Sequence, residues 1–188
     1  MNSVQRSSVY MYDGHVAIRP FLPVDAQPAF EAVRESRVDV AHWLPDLGST
    51  HSISDVSAYI DRQPDAWASD DAYNFAILEH GPGVFLGGCG LTQINRRHGF
   101  ANMYYWVRSG KTKRGIATGA VRLLARFGLE TLALQRIEIV VPLGNTASIR
   151  VAEKAGAVRE GVLRSRVMLH DVMHDALLFS FVQPDFSA

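Results

Sequence analysis

Cysteine is almost missing from this chain: Cys89, in the apolar run VFLGGCGL, is the only one. A single thiol excludes an internal disulfide framework and fits a reducing compartment, where a buried structural role suits it better than a nucleophilic one. Net charge is missing too. Lysine plus arginine and aspartate plus glutamate each total 19, so no overall field draws the chain to nucleic acid or an acidic membrane surface, and any basic site must be local. No apolar stretch approaches membrane-spanning length, and the opening MNSVQRSSVYMYDGHVAIRP lacks the continuous apolar run of a secretory signal. The resulting expectations are a soluble, cytoplasmic protein with no membrane partner and no nucleic-acid partner. Fixed-period repeats and low-complexity tracts are absent, and glycine and proline are scattered as turn punctuation.

What is present suffices for one core. At 188 residues and 47% hydrophobic content the chain is long enough for one domain and short for two, so we expect a loose segment over 1–12 and a single domain over 13–184. Val16 to Arg19 reads as a strand, and Asp25 to Glu35 as a helix with Asp25 in its first turn. An irregular segment holding His42-Trp43-Leu44-Pro45-Asp46 comes next, then a helix-like stretch from Ser54 to Ala68. Strand signals cluster at Tyr73 to Leu78, Val84 to Thr92 and Ala101 to Val107, separated by Gly81-Pro82-Gly83 and Arg96-Arg97-His98-Gly99, the pattern of an antiparallel meander. From Gly115 the period turns helical through Ile116, Ala120, Leu123, Leu124 and Phe127, before a strand from Arg136 to Val141. Such a strand–helix–strand crossover joins parallel strands. A helix from Asn145 and two strands, Val158 to Leu169 and Val172 to Val182, turned by His170-Asp171, complete the pattern. The expected fold class is α/β: a mixed, mostly antiparallel sheet with one parallel βαβ crossover.

Two segments carry chemistry. The crossover helix is expected to begin with Lys111-Thr112-Lys113-Arg114-Gly115-Ile116-Ala117-Thr118. A helix N-terminus presents unpaired N–H groups and the positive end of the dipole, so it attracts phosphate. Gly115 and Ala117 leave the backbone approachable, and Lys111, Lys113 and Arg114 add positive charge. The spacing is neither GxxxxGK[ST] nor GxGxxG, so this is not a Walker or dinucleotide loop; a tight turn with a solvated basic surface is the plainer alternative. In the second segment, NTASIRVAEKAG, Asn145 caps a helix, Lys154 complements its C-terminal end and Gly156 follows it. Asn145, Ser148 and Ala152 share one face. A well-capped connecting helix would look the same.

With both helices in place, the chain resembles the GCN-related N-acetyltransferases (GNAT), and within them the RimJ/RimL ribosomal-protein acetyltransferase branch, over nearly the whole domain. The family's loop [Gln/Arg]-x-x-Gly-x-[Gly/Ala] is matched at Gly115 and Ala117, with Thr112 standing where Gln or Arg is usual. The branch's Asn-x-x-Ser followed by Glu-Lys-x-Gly is matched at Asn145, Ser148, Glu153, Lys154 and Gly156. Tyr105-Trp106-Val107, His42-Trp43-Leu44-Pro45 and the strand from Asp175 to Ser180 also look like the branch's segments. The resemblance implies a GNAT acyl-CoA N-acyltransferase fold with acetyl-CoA as co-substrate and no metal. The pantetheine arm would run along the strand ending at Val107 and meet Asn145. The pyrophosphate would lie on Lys113, Arg114, Gly115, Ile116, Ala117 and Thr118, and the acetyl group where the two parallel strands splay.

Amine attack on a thioester needs a donor for the departing thiolate and a route for the amine proton. Ser148 is the candidate acid. Many relatives place a tyrosine at the position of Ala152; alanine cannot serve, and Ser148 on the same face has the hydroxyl. A serine bonding back to a helix carbonyl is the alternative. Relatives often carry glutamate at the position of Asn102, and asparagine cannot accept a proton. Glu138 is the remaining candidate base, although it reads equally as a solvent-facing strand residue. His42, Trp43 and Tyr105 are the substrate-binding candidates; Trp43 also suits a loop anchor, and Tyr104 and Tyr105 also suit relays or core aromatics. An α-amine has pKa ~7.7–8.0 against ~10.4 for lysine, so the thin base inventory favours an α-amine, such as a protein N-terminus, or another low-pKa amine as acceptor. A small-molecule amine (amino acid, polyamine or antibiotic), a non-catalytic acyl-CoA-responsive module and a homodimer stay open. His170 and His174 do not read as a metal site, because their segment is a hairpin turn rather than a helix. Cys89 is expected to sit away from the motifs, which disfavours an acetyl-cysteine intermediate.

Overall fold

One sheet organises the computed structural model, which describes residues 8–48 and 52–183. Its strands are β1 (Met11–Tyr12), β2 (Val16–Pro20), β3 (Tyr73–Glu79), β4 (Phe85–Asn95), β5 (Phe100–Val107), β6 (Arg136–Pro142), β7 (Val158–Leu169) and β8 (Val172–Val182). Across the sheet they run β1-β2-β3-β4-β5-β6-β8-β7. Every pair is antiparallel except β5 with β6, the mixed α/β arrangement with one parallel crossover that the alternating and helical periods predict. The helices are α1 (Ala26–Ala41), α2 (Pro45–Gly48), α3 (Ile53–Asp61), α4 (Gln63–Ala68), α5 (Ile116–Arg126) and α6 (Thr146–Ala155).

Several boundaries move. Of the expected loose segment, residues 1–7 lie outside the described residues, while Met11 and Tyr12 pair with Ile18 and Ala17 as β1. The helix expected to end at Glu35 continues to Ala41 as α1. The stretch from Ser54 to Ala68 breaks at Arg62 into α3 and α4, because Pro64 has no N–H to give and is tolerated only in a first turn. Helix α5 starts at Ile116 rather than Lys111: a 3₁₀ turn, Ser109–Lys111, and left-handed backbone at Lys113 and Gly115 take up the intervening residues.

The two faces of the sheet are covered differently. On one, α5 and α6 bury Ile137, Ile139 and Val141 of β6 with Leu177, Phe179 and Phe181 of β8, and Trp67, Tyr73, Phe75 and Phe127 pack as an aromatic group. Each such side chain contributes about 1.5–3 kcal/mol through removal from water. On the other face, α1 and α3 cover Ala17, Phe21, Ala76, Leu78 and Phe85. Arg122 of α5 donates to the carbonyls of Lys154 and Ala155, placing a cation on the negative end of α6 and tying the two helices together.

The second face also holds a buried polar circuit. Tyr59 and Tyr104 hydroxyls lie 3.0 Å apart, Tyr104 donates to Asn74 Oδ1 (2.9 Å), Asn74 Nδ2 to Gln63 Oε1 (2.7 Å), and Gln63 Nε2 to the Tyr59 carbonyl (2.6 Å). Only neutral groups are involved and each finds a partner, so the burial of Gln63 and Asn74 leaves no uncompensated dipole among them. Room for it comes from β4. Gly90 lies across from Tyr104, and a Cβ there would stand 2.2 Å from Asn74 Oδ1 and 2.7 Å from Tyr104 Cε1.

Candidate active site

The parallel strands part company after three residues. Phe100, Ala101 and Asn102 of β5 pair with Arg136, Ile137 and Glu138 of β6, and no ladder joins the two strands beyond that point. On the outer sides pairing continues, with β4 following β5 to Val107 and β8 following β6 to Pro142. The result is a fork whose inner edges present strand backbone that makes no strand–strand bond. An extended chain bearing amides can pair there as an added strand would.

Helix α1 pins the loop that leaves β5. Glu35 accepts from Arg108 Nε (3.0 Å) and from the Gly110 N–H (2.8 Å), Ser36 Oγ accepts from the Ser109 N–H (2.9 Å), and Ser109 Oγ donates to Asp39. The Arg108 guanidinium and the Gly110 N–H hold the Glu35 carboxyl below the usual carboxylate range. Thr112, where the family has a longer polar side chain, closes the turn through its hydroxyl on the Ser109 carbonyl (3.1 Å).

Gly115 then adopts φ 79, a left-handed conformation that costs glycine little. A Cβ at this position would meet nothing within 4 Å, so the start of α5 faces open space. The first hydrogen bond at this end of the helix is from Gly119 N to Gly115 O (2.9 Å), which leaves the N–H groups of Ile116, Ala117 and Thr118 without intrahelical acceptors. Lys113 and Arg114 are exposed beside them. Ile116 is core through its side chain, 4% exposed, so only its backbone faces the opening. Open backbone donors flanked by cations fit a pyrophosphate.

Helix α6 lies along the other prong. Asn145 Oδ1 accepts from the Ser148 N–H (3.1 Å), which makes it the cap, and Gly156 closes the helix in left-handed conformation. Ala152 is fully buried. Ser148 Oγ is 2.8 Å from the Tyr105 hydroxyl, which also lies 3.1 Å from the Ser148 carbonyl as donor. Tyr105, expected on the acceptor side, thus turns toward α6. Burial pushes its hydroxyl up to about 12, against a partial lowering by Ser148.

Cys89 is not remote. It is the cross-strand partner of Tyr105, and side chains so paired share a face. What disqualifies it as a nucleophile is complete burial, which pushes the thiol well up and keeps it protonated.

Glu138 sits at the root of the fork, half-buried, paired through the backbone with Asn102 on one side and Ser180 on the other. Its carboxylate accepts from Arg136 Nε (2.8 Å). Arg136 also grips Glu160 through both terminal nitrogens (2.6 and 2.5 Å), and Ser180 Oγ donates to Glu160 (2.7 Å), so Glu160 is drawn down to about 2. Beside Glu138, Asn102 Oδ1 is buried and accepts no hydrogen bond from the described residues. His42 and Trp43 close the far end of α1 over the neighbouring loops. His42 stacks on His170 of the β7–β8 turn at 5.7 Å, and a Cβ at Gly144, between β6 and α6, would be 3.7 Å from the Trp43 ring. His174 lies along β8.

The sequence motifs fall on adjoining elements: Val107 ends β5, the 113–118 loop leads into α5, and Asn145 caps α6, whose Ser148 meets Tyr105 of β5. Sequence reasoning missed Arg136, Glu160 and the α1 anchors Glu35, Ser36 and Asp39. Their partners are 20 to 75 residues away for all but Glu138, and no local pattern marks such pairs.

Known proteins show the same organisation. YdaF of Bacillus subtilis (strain 168), provisionally named a ribosomal N-acetyltransferase, is 27% identical over 180 residues, 92% of this chain and 93% of its own. YjcK of the same organism, provisionally named an N-acetyltransferase, is 34% identical over 117 residues, covering 62% of this chain and 65% of YjcK. Among solved structures, RimJ of Mycobacterium smegmatis in complex with CoA-disulfide superimposes with a TM-score of 0.85 at 22% identity, over 95% of this chain and 88% of that one. The family model for the acetyltransferase (GNAT) domain matches residues 15–158. A match that begins one residue before β2 and runs through the fork and both of its helices settles the lineage: the chain belongs to the GNAT acetyltransferase family.

Proposed function

We propose that this acetyltransferase moves the acetyl group of acetyl-CoA to a primary amine, in the manner of RimJ and RimL, with a protein N-terminal α-amine as acceptor. The fork between β5 and β6, opening onto the exposed start of α5, carries the reading. Acetyl-CoA supplies an activated thioester. Lys113 and Arg114 hold its phosphates together with the N–H groups of Gly115, Ile116, Ala117 and Thr118, while Val107 and the Nδ2 of Asn145 meet the pantetheine arm. The amine nitrogen attacks the carbonyl carbon; the C–N bond forms, the C–S bond breaks with its electrons on sulfur, and one proton leaves nitrogen while the sulfur ends as a thiol. Ser148 donates to the sulfur, Glu138 receives the amine proton, and exchange with water returns a proton to Ser148 and releases the one on Glu138, so both residues end as they began.

The acceptor assignment rests on how little base strength the site offers. Glu138 already shares its carboxylate with Arg136, and the Asn102 amide cannot take up a proton. An α-amine of pKa ~7.7–8.0 is substantially neutral near pH 7, whereas a lysine of pKa ~10.4 is not. The ribosomal name of YdaF points the same way. His42 and Trp43 form the acceptor-side rim.

The test is a product-mass screen with acetyl-CoA against peptides of varied N-termini, lysine peptides with blocked N-termini, amino acids, polyamines and antibiotic amines, with free CoA thiol followed in parallel. Acetylation of free peptide N-termini is expected. Turnover confined to small amines or lysine side chains would reassign the acceptor. Thermal stabilisation by acetyl-CoA without turnover would make the chain a binding module, and no stabilisation would remove the cofactor reading.

A further inference from the structure

Two hydroxyls, from opposite prongs of the fork, meet at Ser148. Tyr105 comes from β5, beyond the last residue that pairs with β6, and its oxygen is 2.8 Å from Ser148 Oγ on α6. The tyrosine has one proton and two acceptors in reach, Ser148 Oγ and the Ser148 carbonyl at 3.1 Å. That carbonyl lies inside α6, where the helix already provides a donor four residues on; the serine oxygen is closer and has no other partner among the described residues. If Tyr105 donates to Oγ, the serine's own proton must point away from the tyrosine. In the reverse arrangement Ser148 would spend its proton on Tyr105 and have none for a ligand. Buried Tyr105 stays protonated at any working pH, so it remains a donor.

Resting on the acetyl-transfer reading above, we propose that Tyr105 is a positioning residue whose hydroxyl donates to Ser148 Oγ and so turns the serine proton toward the sulfur of the thioester. Tyr105 itself gives up no proton in the reaction.

Tyr105→Phe keeps the ring and removes the donor. It should lower kcat by about tenfold, leave KM for acetyl-CoA within about twofold, and leave thermal stabilisation by CoA unchanged. Adding Tyr105→Phe to Ser148→Ala should change nothing further. A similar loss in both backgrounds, or no loss in either, overturns the proposal. A second readout needs neither cofactor nor turnover: in protein labelled with ¹³Cζ-tyrosine, the Tyr105 resonance, assigned by its disappearance in Tyr105→Phe, should shift in Ser148→Ala. An unmoved resonance would show that the two hydroxyls are not bonded. Absence of turnover in the unaltered protein would instead refute the acetyl-transfer reading, and the resonance would still report on the pair.

Discussion

Ser148→Ala separates chemistry from architecture, because the structure makes its folding cost small. The capping bond at this position is made by the Ser148 backbone N–H to Asn145 Oδ1, and alanine keeps it. Loss of Oγ removes one bond to Tyr105, but the tyrosine hydroxyl retains the Ser148 carbonyl as acceptor at 3.1 Å. A lost hydrogen bond of this kind costs about 0.5–1.5 kcal/mol. Alanine in a helix recovers about 0.5 kcal/mol over serine. The net change should be about 0.5 kcal/mol, or roughly 1–2 °C in Tm for a chain of this size. Removing a donor aimed at charge that develops in the transition state should instead cost on the order of 100-fold in kcat, about 2.7 kcal/mol. The assays are a thermal melt with and without CoA and steady-state kinetics on the best acceptor from the screen, varying each substrate. The expected pattern is kcat down, KM for acetyl-CoA nearly unchanged, and stability nearly unchanged. Full turnover in the variant would remove Ser148 from the mechanism; a fall in Tm of about 5 °C or more would mean that the Tyr105 bond is mainly structural.

Gly90→Ala should be far more costly than its size implies. The new Cβ falls on Asn74 Oδ1 and the Tyr104 ring, so overpacking of about 1–3 kcal/mol adds to about 1–2 kcal/mol for a disrupted buried bond, in all about 2–5 kcal/mol or some 4–20 °C in Tm by calorimetry. Gly161→Ala, where a Cβ meets nothing within 4 Å, serves as the control, and equal melts for the two would contradict the close packing of Gly90. Glu160 gives the pH dependence. Its carboxyl is lowered in the folded chain from 4.5 to about 2, chiefly by the Arg136 hydrogen bonds. A depressed folded value means that its stabilisation is complete above the unfolded value and is lost as pH falls from about 4.5 toward 2. With the Glu160 side chain 36% exposed, screening limits this to about 1 kcal/mol. Glu160→Gln should therefore be less stable than the unaltered protein at pH 7 and converge with it near pH 2 in chemical-denaturation series; a constant gap across that window would exclude the ion pair as its source.

Which features were legible in the sequence follows from the range over which their causes act. The β7–β8 hairpin has the expected bounds because its alternation and the His170-Asp171 turn are local, and both turn residues adopt the positive φ that such a turn needs. The cap at Asn145 and the left-handed Gly156 are equally local, each reaching four residues or fewer. The start of α5 was misplaced because a run of basic residues does not reveal the backbone reversals at Lys113 and Gly115. The contact of Tyr105 with α6 was not legible because a strand pattern says which residues share a face but not which face receives which helix. Topology decides that: the crossover puts α5 and α6 on the face of Ala101, Met103 and Tyr105, and α1 and α3 on the face of Tyr104 and Trp106. The same alternation sends Asn102 and Glu138 to the α1 side, away from Ser148. With the roles proposed for Ser148 and Glu138, which lie on opposite faces of a forked sheet, only the gap between the strands lets both act on one substrate. The departures at Thr112 and Ala152 lie outside the two strands, and Asn102 departs only in its side chain while its backbone keeps the last pair with Glu138, so the gap beyond that pair does not depend on them.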